Sequence, residues 1–164
     1  MPKNCNRKLW IECVQIEHTS INHINHTRQH MGLHILAAED NQFAGLQYKK
    51  IFEKHEHDIT IARDGEECVE LYKKRLEQSN DESMPFHVVL LDFIMPKKNG
   101  VKVAKDILEL RPNQKIIFVS AYGNGVLDDA TAILKDSVEI IQKPFSLEFL
   151  VKKLENGYAI KNMH

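Results

Sequence analysis

Two stretches, HVVLLD (87–92) and KIIFVSA (115–121), each carry four consecutive apolar residues, Val88–Leu91 and Ile116–Val119. Successive side chains of a strand point to opposite faces, so such a run needs apolar cover on both sides. A parallel sheet between two layers of helices supplies it, because the crossovers joining parallel strands lay helices on both faces.

The surrounding sequence provides those helices. HILAAED (34–40) reads as a first strand ending in acids, and DITIARDG (58–65) as a second that stops at an Asp-Gly turn. Between them, residues 42–55 place Phe43, Leu46, Ile51 and Phe52 on one helical face. Residues 66–77 align Cys68, Val69, Tyr72 and Leu76, and SNDESMP (79–85) is a polar loop before the third strand. Residues 100–110 give Val101, Ala104, Ile107 and Leu108 a helical spacing that RPN (111–113) terminates. A less regular helix at 127–136 separates the fourth strand from VEIIQ (138–142). SLEFLVKKLENG (146–157) has Ser146 as N-cap, Leu147, Leu150, Val151 and Leu154 as its apolar face, and Gly157 as a stop. Five strands alternating with five helices predict an α/β, doubly wound, flavodoxin-like parallel sheet in the order 2-1-3-4-5.

Residues 1–30 break this pattern. They hold four of the nine histidines (His18, His23, His26, His30) and two of the three cysteines, with no sustained periodicity. Two readings stay open: a disordered or loosely docked extension, or a stretch translated from an early start codon. His23, His26 and His30 would share a face if that segment were helical, but no compact zinc spacing accompanies them. The expected organisation is therefore an extension at 1–30, one domain at 31–158 and a short tail at 159–164. A net charge of −1 gives no basic field for nucleic acid or an anionic membrane. The odd cysteines Cys5, Cys13 and Cys68 form no disulfide framework, and no apolar run spans a bilayer. The expected setting is the cytoplasm.

In a doubly wound sheet, ligands bind beyond the carboxyl ends of the strands, where the strand order reverses. Here those ends carry Glu39 and Asp40 on the first strand, Asp92 on the third, Ser120 on the fourth and Lys143 on the fifth. Each alone is an ordinary cap or loop residue. Together they put three carboxylates, a hydroxyl and an ammonium on one edge. Two like charges 4 Å apart repel by about 1 kcal/mol in bulk water and about 4 kcal/mol at an effective dielectric of 20. Such a cluster calls for a cation, and an all-oxygen donor set suits Mg²⁺. The chemistry that follows is phosphoryl transfer. Asp92 is the nucleophile, Glu39 and Asp40 hold Mg²⁺ with Asp92, Lys143 steadies the phosphoryl charge, and Ser120 donates a hydrogen bond to it.

At these residues the chain resembles the receiver domain of two-component response regulators. The resemblance runs from residue 34 to about 157. It rests on Glu39–Asp40, ARDG (62–65), LLDFIMPKKNG (90–100), VSA (119–121) and KPF (143–145). It implies Asp92 as phosphoacceptor, the backbone carbonyl of Ile94 as a further metal ligand, and a cis Lys143–Pro144 bond. It implies a histidine kinase or histidine phosphotransfer protein as donor. Phosphorylation would move Ser120 and reshape the face of the 127–136 helix, the fifth strand and the last helix for a downstream protein. Three departures from the family pattern stand out. Ile140 occupies the position of a switch aromatic. Ile94 and Tyr122 occupy the positions that tune water attack, where an apolar and a bulky residue imply slow hydrolysis. Only YAIKNMH (158–164) follows the last helix, so the expectation is a stand-alone receiver acting through protein contact, without direct nucleic-acid binding or membrane insertion.

Two other functions compete. A phosphorelay intermediate would use the same residues. A phosphatase with an aspartyl-phosphate intermediate would want a general acid two residues after Asp92, where the chain has Ile94. The expectation is a phosphoacceptor rather than an enzyme with sustained turnover. Lys97 and Lys98 read as solvated neighbours of the loop, Asp64–Gly65 as a turn and helix start, and Cys68 as a buried apolar residue.

Overall fold

The computed structural model of the chain describes residues 32–79, 84–121, 134 and 138–159. Strands β1 (His34–Ala38), β2 (Asp58–Ala62), β3 (Val88–Asp92), β4 (Ile116–Ser120) and β5 (Val138–Gln142) form one parallel sheet in the order β2-β1-β3-β4-β5. Helices α1 (Gln42–Lys54), α2 (Gly65–Gln78), α3 (Gly100–Leu110) and α4 (Leu147–Ala159) complete the described elements. The expected flavodoxin-like topology is present. The extension at 1–30 and the helix expected at 127–136 lie outside the described residues, except Leu134, which is buried in the core.

The alternation of side chains divides the core into two clusters. Leu36, Val89, Leu91, Ile116 and Phe118 face α2 and α3. Ile35, Val88, Leu90, Ile117 and Ile141 face α1 and α4. Burying a side chain of this kind stabilises the fold by roughly 1.5–3 kcal/mol, which is why β3 and β4 are apolar on both faces. Among the described residues no helix is long and apolar enough to cross a membrane.

The stripe read on the first helix is corrected. Gly45, Tyr48 and Phe52 form the buried face of α1, whereas Phe43 and Leu46 are 69 % and 60 % exposed. Positions 45, 48 and 52 share one helical face; 46 lies about a third of a turn from it and 43 about half a turn. Gly157 does not stop the last helix, which continues to Ala159. Ser146 does cap it, its Oγ accepting the Phe149 N–H at 3.1 Å. Cys68 is buried as expected, and burial pushes its thiol pKa up to about 12.

The amino ends of the strands carry histidines. The His34 N–H donates to His87 Nδ1 at 2.8 Å, the two rings stack 5.4 Å apart, and Asp58 and Arg75 contact His34. A protonated Nδ1 cannot accept that bond. Burial first, then the neighbouring His34 and Arg75 charges, hold the His87 pKa below its ordinary 6.5. Between the lowered folded value and 6.5 the unfolded chain binds more protons, so stability falls as pH drops through that window. Urea midpoints measured above and below pH 6.5 are expected to show the loss. His87→Gln, which still offers an acceptor but does not titrate, should flatten it. An equally steep loss in that variant would clear His87.

Candidate functional site

β1 runs out at Ala38, and the Glu39 N–H continues the sheet register by donating to the Ala62 carbonyl at 3.0 Å. That fixes Glu39 at the strand end with only 4 % of its surface exposed. Asn41 then caps α1, its Oδ1 accepting the Phe43 and Ala44 N–H groups at 3.0 and 3.1 Å. Its own N–H donates to Glu39 Oε1 at 3.3 Å. Asp40 is caught between strand end and helix cap, exposed above the edge.

Asp92 closes β3 half-buried, and its Oδ1 accepts the Ile94 N–H at 3.2 Å. The chain returns so tightly that Gly100 lies under it: a β-carbon there would sit 2.4 Å from the Asp92 carbonyl oxygen. Only glycine fits such an approach. On the far side the Lys143 N–H donates to the Ser120 carbonyl at 2.7 Å, and the Lys143–Pro144 bond is cis, as the family pattern implied.

These constraints bring Lys143 Nζ to 2.9 Å from Asp92 Oδ2 and 3.1 Å from Glu39 Oε2. One carboxylate oxygen from each of Glu39, Asp40 and Asp92 lies within 4.8 Å of the others. Three acids thus face one ammonium. Burial works against the Lys143 charge, but the hydrogen bond and charge of Asp92, then Glu39, outweigh it and raise the lysine above its usual range. All-oxygen donors, partly solvated and short of positive charge, fit a hard divalent cation such as Mg²⁺.

The other expected residues are placed as follows. Ser120 is fully buried at the end of β4, next to the strand that carries Lys143. The Ile94 side chain is 55 % exposed beside Asp92. Ile140 is half-buried against the core on β5. Tyr122 lies outside the described residues. Two features escaped the sequence reading. Tyr48, on the buried face of α1, is pushed up to about 12 by burial, which outweighs the lowering charge of Lys143 and is reinforced by the charges of Glu39 and Asp92. A correctly phased α1 stripe would have found it. Lys97 and Lys98 are not simply solvated: they pair with Asp64 and Asp106. The signal for the first pair was topological, since α2 and α3 cover the same face of the sheet.

The response regulator receiver domain family matches residues 35–155. The chemotaxis protein CheY of Thermotoga maritima is 33 % identical over 125 residues, covering 76 % of this chain and 96 % of that protein. The response regulator receiver protein CpdR of Brucella abortus is 29 % identical over 121 residues, covering 74 % and 92 %. The crystal structure of a CheX–CheY–BeF3–Mg²⁺ complex from Borrelia burgdorferi matches with a TM-score of 0.65 at 26 % identity, over 77 % of this chain and 89 % of that one. The strand order, the acidic edge and the matched residues describe one object. The chain belongs to the response regulator receiver domain family, the CheY-like modules of two-component signalling.

Proposed function

We propose that Asp92 accepts a phosphoryl group from a histidine kinase or histidine phosphotransfer protein, in a Mg²⁺-dependent reaction that switches a protein contact. The observation that carries this reading is the Lys143 ammonium bonded to both Asp92 and Glu39 at the edge where three carboxylates meet. A carboxylate oxygen of Asp92 attacks phosphorus, and the bond to the donor breaks with its electron pair leaving on the donor. Lys143 then exchanges a carboxylate oxygen for phosphoryl oxygens as its partner. Ser120 lies one strand away with a hydroxyl to donate. Glu39, Asp40, Asp92 and the Ile94 carbonyl would hold Mg²⁺, which supplies positive charge to the phosphoryl oxygens when bound.

A protein donor or target needs a surface. Phe43 and Leu46 stand exposed on α1, and a cleft of about 400 Å³ opens beside Glu39, lined in part by Leu46, Lys49 and Arg63. Apolar groups rimmed by basic ones suit a partner with an apolar, acid-flanked face. The role is that of a phosphoacceptor in the cytoplasm, with no general acid at Ile94 to drive turnover.

Incubation with Mg²⁺ and acetyl phosphate followed by intact mass measurement is expected to show one added phosphoryl group. No gain in mass would end the proposal. The acyl phosphate should also persist, because the half-exposed Ile94 side chain offers attacking water no hydrogen bond. Ile94→Asn is expected to shorten its lifetime about tenfold, on the scale of one net hydrogen bond to the attacking water. An unchanged decay rate would remove Ile94 as the cause.

A further inference from the structure

The loop from Asp92 to Gly100 is tied to a helix that the pocket does not use. Lys97 has φ 62°, a left-handed conformation that is costly for a residue with a β-carbon and free for glycine. Its Nζ lies 2.6 Å from Asp64 Oδ2. Asp64 is the N-cap of α2, and its other oxygen accepts the Glu66 and Glu67 N–H groups, both at 2.9 Å. The Asp64 side chain is only 13 % exposed, so both oxygens are engaged with little solvent access. Beside it, a β-carbon on Gly65 would sit 2.0 Å from the Lys98 carbonyl oxygen, so the loop backbone lies directly against the first turn of α2. Lys98 reaches the other way, to Asp106 on α3.

From this geometry we infer that Lys97 and Asp64 are positioning residues that clamp the loop on α2 and so hold the Ile94 carbonyl and the Asp92 carboxylate in place for the cation. The inference rests on the Mg²⁺ pocket proposed above. Ile94 links the two: its N–H is bonded to Asp92 Oδ1, three residues before the clamp. With the Lys97 side chain 56 % exposed, the pair adds little to global stability. Its effect is to pre-arrange the ligands, as groups that orient a first coordination shell do.

Lys97→Gly separates clamp from scaffold. Glycine removes the ammonium and also the left-handed strain, so a merely structural Lys97 would leave the loop as good or better. Asp64→Asn keeps the helix cap, since Asn serves as well as Asp there, and turns an amide towards Lys97. Both variants are expected to keep their urea midpoints. Both should bind Mg²⁺ about three- to tenfold more weakly by calorimetry, at or below the lower end of what groups that orient metal ligands contribute. Without metal, both should exchange the Ile94 amide hydrogen faster. The double variant should be no worse than either single one, because both remove the same bond. Mg²⁺ binding by the wild type with equal binding by the variants overturns the clamp alone. Weakening that follows a matching loss of stability in both variants also overturns it. No Mg²⁺ uptake by the wild type overturns the clamp and the proposed pocket together.

Discussion

Asp92→Asn is expected to gain no phosphoryl mass from acetyl phosphate and Mg²⁺ under conditions that load the wild type. The substitution is nearly isosteric, so the backbone pocket built by Gly100 and the Ile94 N–H can remain. What disappears is the charged nucleophilic oxygen. An amide oxygen can still accept the Ile94 N–H, but the amide nitrogen now faces Lys143, where Oδ2 had accepted its bond at 2.9 Å. Donor faces donor, and one of the three carboxylates around the cation site is lost. The other acids are poor substitutes. Glu39 is 4 % exposed and keeps its bond to Lys143, while Asp40 lies exposed and is not held by that lysine. Full loading of the variant would show that another side chain is the acceptor. Folding should be nearly unaffected, since one of three mutually repelling charges has been neutralised.

The parts of this molecule that were legible in its sequence are those whose signal is local or repeats with a fixed period. β3 and β4 are apolar on both faces because helices cover both, and their bounds emerge within a residue of the apolar runs. The site was legible because a parallel sheet sends every strand end to one edge, so Glu39, Asp92 and Lys143 meet without any side-chain detail. α1 was misread because exposed Phe43 and Leu46 compete with the true stripe, and hydrophobicity cannot tell a core face from a surface left for a partner. Tyr48 was lost with that phase. Gly157 misled because glycine is a local stop signal, whereas packing of Leu150, Val151 and Leu154 in the core sustains the helix. The Lys97–Asp64 pair depends on a 33-residue separation in sequence and on one left-handed backbone angle, neither of which leaves a periodic trace.

Replacing Lys143 should move two properties in opposite directions. In Lys143→Met the stem length is kept and the ammonium removed, leaving Glu39, Asp40 and Asp92 without their cation. Taking one partner from a buried pair costs about 3–5 kcal/mol. Asp92 and Lys143 are partly solvated, at 18 % and 31 % side-chain exposure, so a loss of about 2 kcal/mol is the better expectation. A divalent cation restores the missing charge. Mg²⁺ should therefore bind the variant more tightly than the wild type and raise its urea midpoint by more. Phosphoryl transfer should go the other way, slowing by roughly 10²–10³ as expected for the loss of one preorganised charge at the transferring group. The pH dependence has a definite sign too. Lys143 is raised in the fold, so its stabilisation is complete below its ordinary 10.5 and is lost only as pH climbs from there through the raised value. Any change in wild-type loading near neutral pH must then come from other groups. Weaker Mg²⁺ binding together with slower transfer would mean general damage to the pocket and would refute this assignment. Tighter metal binding with slower transfer isolates Lys143 as the group that exchanges a carboxylate for a phosphoryl partner.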